Sequence, residues 1–230
     1  MERQQAQQAA FALGPAGVMP PSTEATVAWK FTADDNWSLA LEPGSAALVV
    51  DGDHYQGIED FAQRFSQVLA ALQKTQRVRR CDRIGVRYVN VIEPLPGVPR
   101  TWERWFKPEV VGWIGASVLG GNTRLQVSSM QTQLATSPIE QFAGAPADVQ
   151  AIIRNGVFPS GTEIPLDIGL SPRLGQESYV IDLDMFIQAP QPFVNAVLLE
   201  QFRALHAQID AFFRWSLSEQ GESHFGVEEL

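Results

Sequence analysis

The chain has 230 residues, a formal net charge of −9, 45% hydrophobic and 19% charged side chains, and a single cysteine, Cys81. This is ordinary globular composition, so wholesale disorder is excluded. One cysteine allows neither an internal disulfide nor a multi-cysteine zinc site, and the acidic balance argues against general nucleic-acid binding, which needs clustered Lys and Arg.

No apolar run approaches the ~20 residues of a membrane-spanning helix. The opening MERQQAQQAAFALG lacks the basic start and long apolar stretch of a signal peptide. A cytoplasmic location without membrane association is expected. Charge is uneven along the chain. Lys74, Arg77, Arg79, Arg80, Arg83 and Arg87 crowd into one short stretch with Asp82 as its only acid, while the second half is strongly acidic.

In chain order, residues 3–12 read as a short helix and 14–23 as a Gly/Pro-rich loop. Residues 27–32 read as a strand with Trp29 and Phe31 on one face, and Ala33-Asp34-Asp35-Asn36 as a turn. Residues 37–42 alternate with Trp37, Leu39 and Leu41 on one side. Pro43-Gly44 carries the signature of a type II turn, and 47–51 returns as a third strand. Links this short make the meander antiparallel. Asp51-Gly52-Asp53 before His54 reads as a turn with an N-cap rather than a metal site. A helix over 56–76 follows, with Ile58, Phe61, Phe65, Val68, Leu69 and Leu72 on its apolar face.

Residues 83–93 form a strand stopped by Pro94 and Pro96. Residues 102–113 are a short helix with a possible break at Pro108. A strand pair or one long bent strand is expected over 124–136. The stretch 136–177 contains five prolines and reads as an irregular insertion, with a turn or two of helix over 147–154. Residues 179–188 form a strand, and 193–216 the longest helix, with Leu198, Phe202, Leu205, Ile209, Phe212 and Phe213 on one face.

The two long helices share a register. Phe61, Phe65, Val68 and Leu72 match Phe202, His206, Ile209 and Phe213 at a constant offset. The order of short helix, meander and long helix also recurs. The expected fold is therefore α+β: a curved antiparallel sheet from two duplicated β-α-βββ-α units, with both long helices on one face. The domain organisation expected is a single domain, 1–230, of two pseudo-repeats, 1–80 and 81–230. The first repeat lacks its opening strand, so beside its meander either an exposed edge or an edge filled by another chain is expected.

Arg83-Ile84-Gly85-Val86-Arg87-Tyr88-Val89-Asn90 resembles the R-I-G-L-R-Y-I-N strand of a sporadically distributed, uncharacterised bacterial family. Asp182-Leu183-Asp184 resembles that family's D-I-D strand. The segment from Leu205-His206 to Phe213 resembles its C-terminal helix. The resemblance implies one fold unit over most of the chain and brings no catalytic residues. Its sporadic distribution implies an accessory role of the defence or toxin-neutralising type.

Chemical motifs are scarce. There is no phosphate-cradling Gly-rich loop. Gly115-Ala116-Ser117-Val118-Leu119-Gly120 departs by one residue from a nucleophile elbow. Cys81 has basic neighbours that lower a thiol pKa, but no His base is evident beside it. His206 reads as a boundary histidine. Two constellations remain. Arg83 and Arg87 share a strand face, as do Asp182 and Asp184. The carboxylates could serve acid–base or metal chemistry, but structural pairing with the arginines is the preferred reading. Trp102 and Trp105, with Phe106 and Trp113, form an aromatic group that is core or, if exposed, a protein-binding patch. The functional expectation is a non-enzymatic partner-binding protein with no cofactor and no metal, engaging a protein partner or itself. The alternative is an enzyme or small-molecule binder using Asp182, Asp184, Arg83 and Arg87.

Overall fold

The computed structural model of the chain describes residues 2–7, 13–14, 17–18, 25–97, 102–112, 129–135, 149–164 and 173–227. The fold is α+β with antiparallel sheets. The chain divides into two compact units, and the division falls after Val68.

The first unit is built on a four-stranded sheet. Its strands are β1 (Glu2–Gln7), β4 (Ala25–Thr32), β5 (Ser38–Glu42) and β6 (Ser45–Val49), in the order β1-β4-β5-β6. Two short strands, β2 (Leu13–Gly14) and β3 (Gly17–Val18), pair separately. The turn between β4 and β5 closes as its sequence implies: Ala33 N–H donates to the Trp37 carbonyl at 2.8 Å, and Asn36 takes the left-handed conformation, φ 62°. Asn tolerates that region because its short amide offsets the steric cost. Gly44 turns β5 into β6 with φ 85°, which a side chain would resist. Asp51 caps the short 3₁₀ turn Gly52–His54 as expected, its carboxylate accepting from the His54 N–H.

Helix α1 (Ile58–Thr75) follows. Its residue Phe61 packs on buried Trp37, with ring centroids 5.1 Å apart. Arg64, one turn on, lies over the same indole at 4.5 Å and donates to Asp35 at 2.7 Å. One side chain thereby ties the β4–β5 turn to the helix.

The second unit holds β7 (Arg80–Ile92), α2 (Trp102–Trp105), α3 (Pro108–Val111), β8 (Met130–Ala135), β9 (Val149–Phe158), β10 (Ser178–Pro192), α4 (Asn195–Ser216) and α5 (Glu219–Phe225). The sheet order is β7-β10-β9-β8. Pro108 separates α2 from α3, where it sits at the start of the second helix, the position it tolerates best.

Strand pleating sorts this unit's side chains. Ile84, Val86 and Tyr88 of β7, Tyr179, Ile181, Leu183, Met185 and Ile187 of β10, and Ala151, Ile153 and Val157 of β9 share one face by register. Helix α4 packs against β7 and β10, with Leu198, Phe202, Leu205 and Ile209 buried at alternating four- and three-residue intervals. Gln191 and Gln201 exchange two amide hydrogen bonds, at 3.0 and 2.9 Å, and fix the end of β10 to α4. Helix α5 packs on α2. The Ser218 hydroxyl accepts from the Gly221 N–H at its start, and Gly226 ends it in the left-handed conformation.

Several expectations are corrected. Residues 3–12 do not begin as a helix, because Glu2–Gln7 pair antiparallel with β4. The β4 edge is therefore covered by this chain itself. The single curved sheet is instead two four-stranded ladders and a short hairpin. The 136–177 stretch is not simply an irregular insertion. It carries β9, a strand between β8 and β10, and of the helix expected over 147–154 the described residues, 149–154, belong to that strand. Val149, Ala151, Ile153, Asn155 and Val157 alternate inward, and β-sheet burial outweighs the local preference. Both units do run from a meander into a long helix. Their strand orders differ, however: β1 adds to the first meander strand, β4, whereas β7 adds to the last, β10. A simple duplication does not predict that difference.

Candidate functional site

Strand β10 is buried on both faces from Ser178 to Ile187. Two of these ten residues are aspartates. Asp182 is 4% exposed and Asp184 7%. A carboxylate this deep needs a charged partner and hydrogen bonds to remain ionised. The antiparallel register with β7 places Arg87 opposite Asp184 and Val89 opposite Asp182. Arg87 slants two positions along and forks onto Asp182, its Nε and Nη2 each donating at 2.8 Å to a different carboxylate oxygen. Arg83 Nη2 donates to both oxygens of Asp184, at 3.1 and 3.0 Å. The four residues singled out in the sequence thus meet on one sheet face and neutralise one another.

A fifth member was not foreseen. Arg154 of β9 stands opposite Asp182 and donates to it through Nη1 at 3.0 Å. Its Nε also donates to Gln131 on β8 at 3.1 Å. Reading 147–154 as a helix hid this residue. The alternation of Val149, Ala151 and Ile153 with Gln150, Ile152 and Arg154 was the available signal.

Gly85 has a specific part in this arrangement. A Cβ there would lie 3.1 Å from Phe186 Cβ and 3.2 Å from Arg83 Nη1. Its absence leaves space for the Arg83 guanidinium over the Phe186 ring, Cζ 4.3 Å from the centroid, while Nη2 still reaches Asp184. The Arg-Ile-Gly-Val-Arg motif is therefore a device for positioning two guanidinium groups. At the other end of this face, Val180 packs with Ile164 and Leu174, flanked by Val89 and Phe158.

The aromatic constellation lies elsewhere. Trp102 is fully buried and stacks on Tyr179, and Trp105 is buried against His224, with centroids 4.0 Å apart and planes 7° apart. Tyr179 belongs to the opposite sheet face from Asp182, so the tryptophans and the charged cluster are separated by the sheet. The tryptophans are core residues. Trp113 and the 115–120 segment lie outside the described residues. Among the described tryptophans of this unit, Trp215 is exposed, at 50%, with Lys107 Nζ 5.4 Å from its ring.

The remaining titratable groups have structural surroundings. Burial pushes the Cys81 thiol up, outweighing the hydrogen-bond effect of Arg83, to whose carbonyl it donates at 3.2 Å. It is not an activated nucleophile. Burial holds His206 below its ordinary value, against the opposite pull of Asp210, and its Nδ1 is 3.0 Å from the Tyr88 hydroxyl. His54 is raised by its hydrogen bond to Asp51 at 2.6 Å on an exposed turn. Among the described residues no three His, Cys, Asp or Glu side chains gather as metal ligands, and no helix is long and apolar enough to cross a membrane. Comparison with family models, with curated proteins and with solved structures finds no match.

Proposed function

We propose that this chain is a partner-binding protein, and that Arg83 and Arg154 on the polar face of the second unit's sheet are its contact residues. The observation that carries the reading is the asymmetry of the ion pairs. The aspartates are buried, while the side chains of Arg83 and Arg154 are 46% and 39% exposed. Each guanidinium is anchored by a buried carboxylate while its side chain stays partly open to solvent. An arginine held in place loses less side-chain freedom when a partner arrives, and arginine is enriched among residues that dominate interface energies. The favoured partner is a protein segment bearing carboxylates. The family resemblance of the Arg83–Asn90 and Asp182–Asp184 strands extends the proposal to a bacterial, cytoplasmic accessory system of the defence or toxin-neutralising type.

The rival reading, an enzyme or small-molecule binder built on the same residues, would need a carboxylate released from its arginine. The test is affinity capture with the full chain from its native host, repeated with Arg83→Gln plus Arg154→Gln. A captured protein that then binds the purified chain directly, and is lost with the double variant while its circular dichroism is unchanged, supports the proposal. No arginine-dependent protein, together with a small anion that raises the melting temperature of the parent and not of the variant, overturns it in favour of the rival.

A further inference from the structure

We propose that two copies of this chain associate through β8, pairing antiparallel about Thr132 to extend the second unit's sheet across a twofold axis. This goes beyond the partner-binding reading and does not depend on it.

Strand β8 ends the sheet order, bonded to β9 on one side, and among the described residues nothing pairs with its outer edge. All six of its residues are exposed, including Met130 and Leu134. An edge strand presents a row of unpaired N–H and C=O groups, and proteins blunt such edges with charge, proline or bulges. The opposite edge strand, β7, carries Arg80, Asp82, Arg83 and Arg87. Strand β8, Met-Gln-Thr-Gln-Leu-Ala, has no charge and no proline. Among the described residues it is the unguarded edge of a sheet whose other edge is guarded.

The sequence of β8 indicates the occupant. Met130-Gln131-Thr132-Gln133-Leu134 is a palindrome in side-chain class about Thr132. A twofold axis perpendicular to the sheet at Thr132 keeps each face on its own side. It sets Met130 against Leu134 twice, Gln131 against Gln133 twice, and Thr132 against its mate. Register with β9 places Met130, Thr132 and Leu134 on the same face as Asn155, Ile153 and Ala151, which is the core face. The apolar pairs would therefore continue that face, and the glutamines would continue the polar one. Cross-strand apolar pairs and amide pairs both favour this match, and no like charges meet. A chain of net charge −9 meets its copy here at an uncharged strip. Five paired residues on each strand cover less than the ~1,600 Å² of a standard interface, so the dimer is weak and concentration-dependent.

The experiment is sedimentation equilibrium of the full chain over a concentration series. Three proteins are compared: the parent, Gln131→Glu plus Gln133→Glu, and Gln131→Glu plus Gln133→Lys. In the proposed register, position 131 faces position 133 of the mate. The first double variant sets Glu against Glu twice and should weaken the dimer by about tenfold or more. The second sets Glu against Lys twice and should dimerise at least as tightly as the parent. Both keep an acceptor opposite Arg154, and matching circular dichroism spectra check their folding. A parent that is monomeric throughout the series overturns the proposal. So does a dimer equally tight in both variants, which would place the contact on another surface.

Discussion

Arg87 grips Asp182 through its guanidinium fork, with two 2.8 Å hydrogen bonds across neighbouring strands between partners 95 positions apart in sequence. Asp182 is the more buried of the two aspartates and has two arginine partners, whereas the Arg83 partner of Asp184 is nearly half exposed. Deleting an aspartate costs more where it takes a carboxylate from a largely buried arginine, as with Arg87, than where the arginine is half solvated, as with Arg83. Asp182→Ala should therefore cost about 3 kcal/mol and Asp184→Ala about 1 kcal/mol. Urea denaturation of both variants checks this order, and a larger loss for Asp184→Ala would contradict it.

Two glycines permit close approaches of different severity. At Gly85 an added methyl meets Phe186 Cβ, which the strand backbone holds, and the far end of the Arg83 side chain, which is flexible. At Gly221 it would collide with the backbone carbonyl of Trp105. Gly85→Ala should cost about 1–2 kcal/mol, in the lower range of overpacking penalties. Gly221→Ala should cost more and should loosen α5 from α2. Hydrogen exchange of 219–225 measures the second effect, and protection equal to that of the parent would show that α5 accommodates the methyl.

The reciprocal amide pair Gln191–Gln201 is buried at both residues. Gln201→Leu leaves the Gln191 amide without its partner, and an orphaned buried amide costs about 1–3 kcal/mol. Adding Gln191→Leu should recover most of that loss. A double-mutant cycle by thermal denaturation reads the coupling, and simple additivity would mean that the two amides act independently.

Phe202 is 3% exposed on the core face of α4. Phe202→Ala should destabilise the chain by about 3–5 kcal/mol, as large aromatic truncations do. A loss below about 1 kcal/mol would mean that the face does not carry the core.

Two histidines give stability opposite dependences on pH. His206 is held below its ordinary value by burial, so the unfolded chain binds a proton that the folded chain refuses. Its contribution is lost as pH falls through the unfolded value, about 6.5. His54 is raised by Asp51, so its contribution is complete below that value and is lost as pH rises through the folded one. His206→Gln should lessen the loss of stability on acidification, and His54→Gln should increase it. Urea midpoints from about pH 8 to about pH 5 test the signs, across the range where histidine titrates. Unchanged profiles in both variants would contradict them.

Much of the local structure follows from the sequence. The meander of the first unit, the turn at Gly44, the break at Pro108 and the apolar faces of α1 and α4 are consequences of periodicity and of what Gly, Asn and Pro allow within a few residues. That Arg83 shares a face with Arg87, and Asp182 with Asp184, follows from the pleat alone. Tertiary structure decided the rest. Register between β7 and β10 is set by which faces are buried, and it brought Arg83 and Arg87 onto the face of Asp182 and Asp184, within reach of their carboxylates. Pairing on both sides drew 149–154 into a central strand, although its local sequence also fits a helical turn, and so brought Arg154 to the cluster. The tryptophans and the charged residues, indistinguishable as candidates in one dimension, went to opposite faces of a single sheet. Local periodicity reports which side chains lie together on an element. Which elements then meet depends on hydrogen-bond partners and buried surfaces contributed by residues distant in the chain.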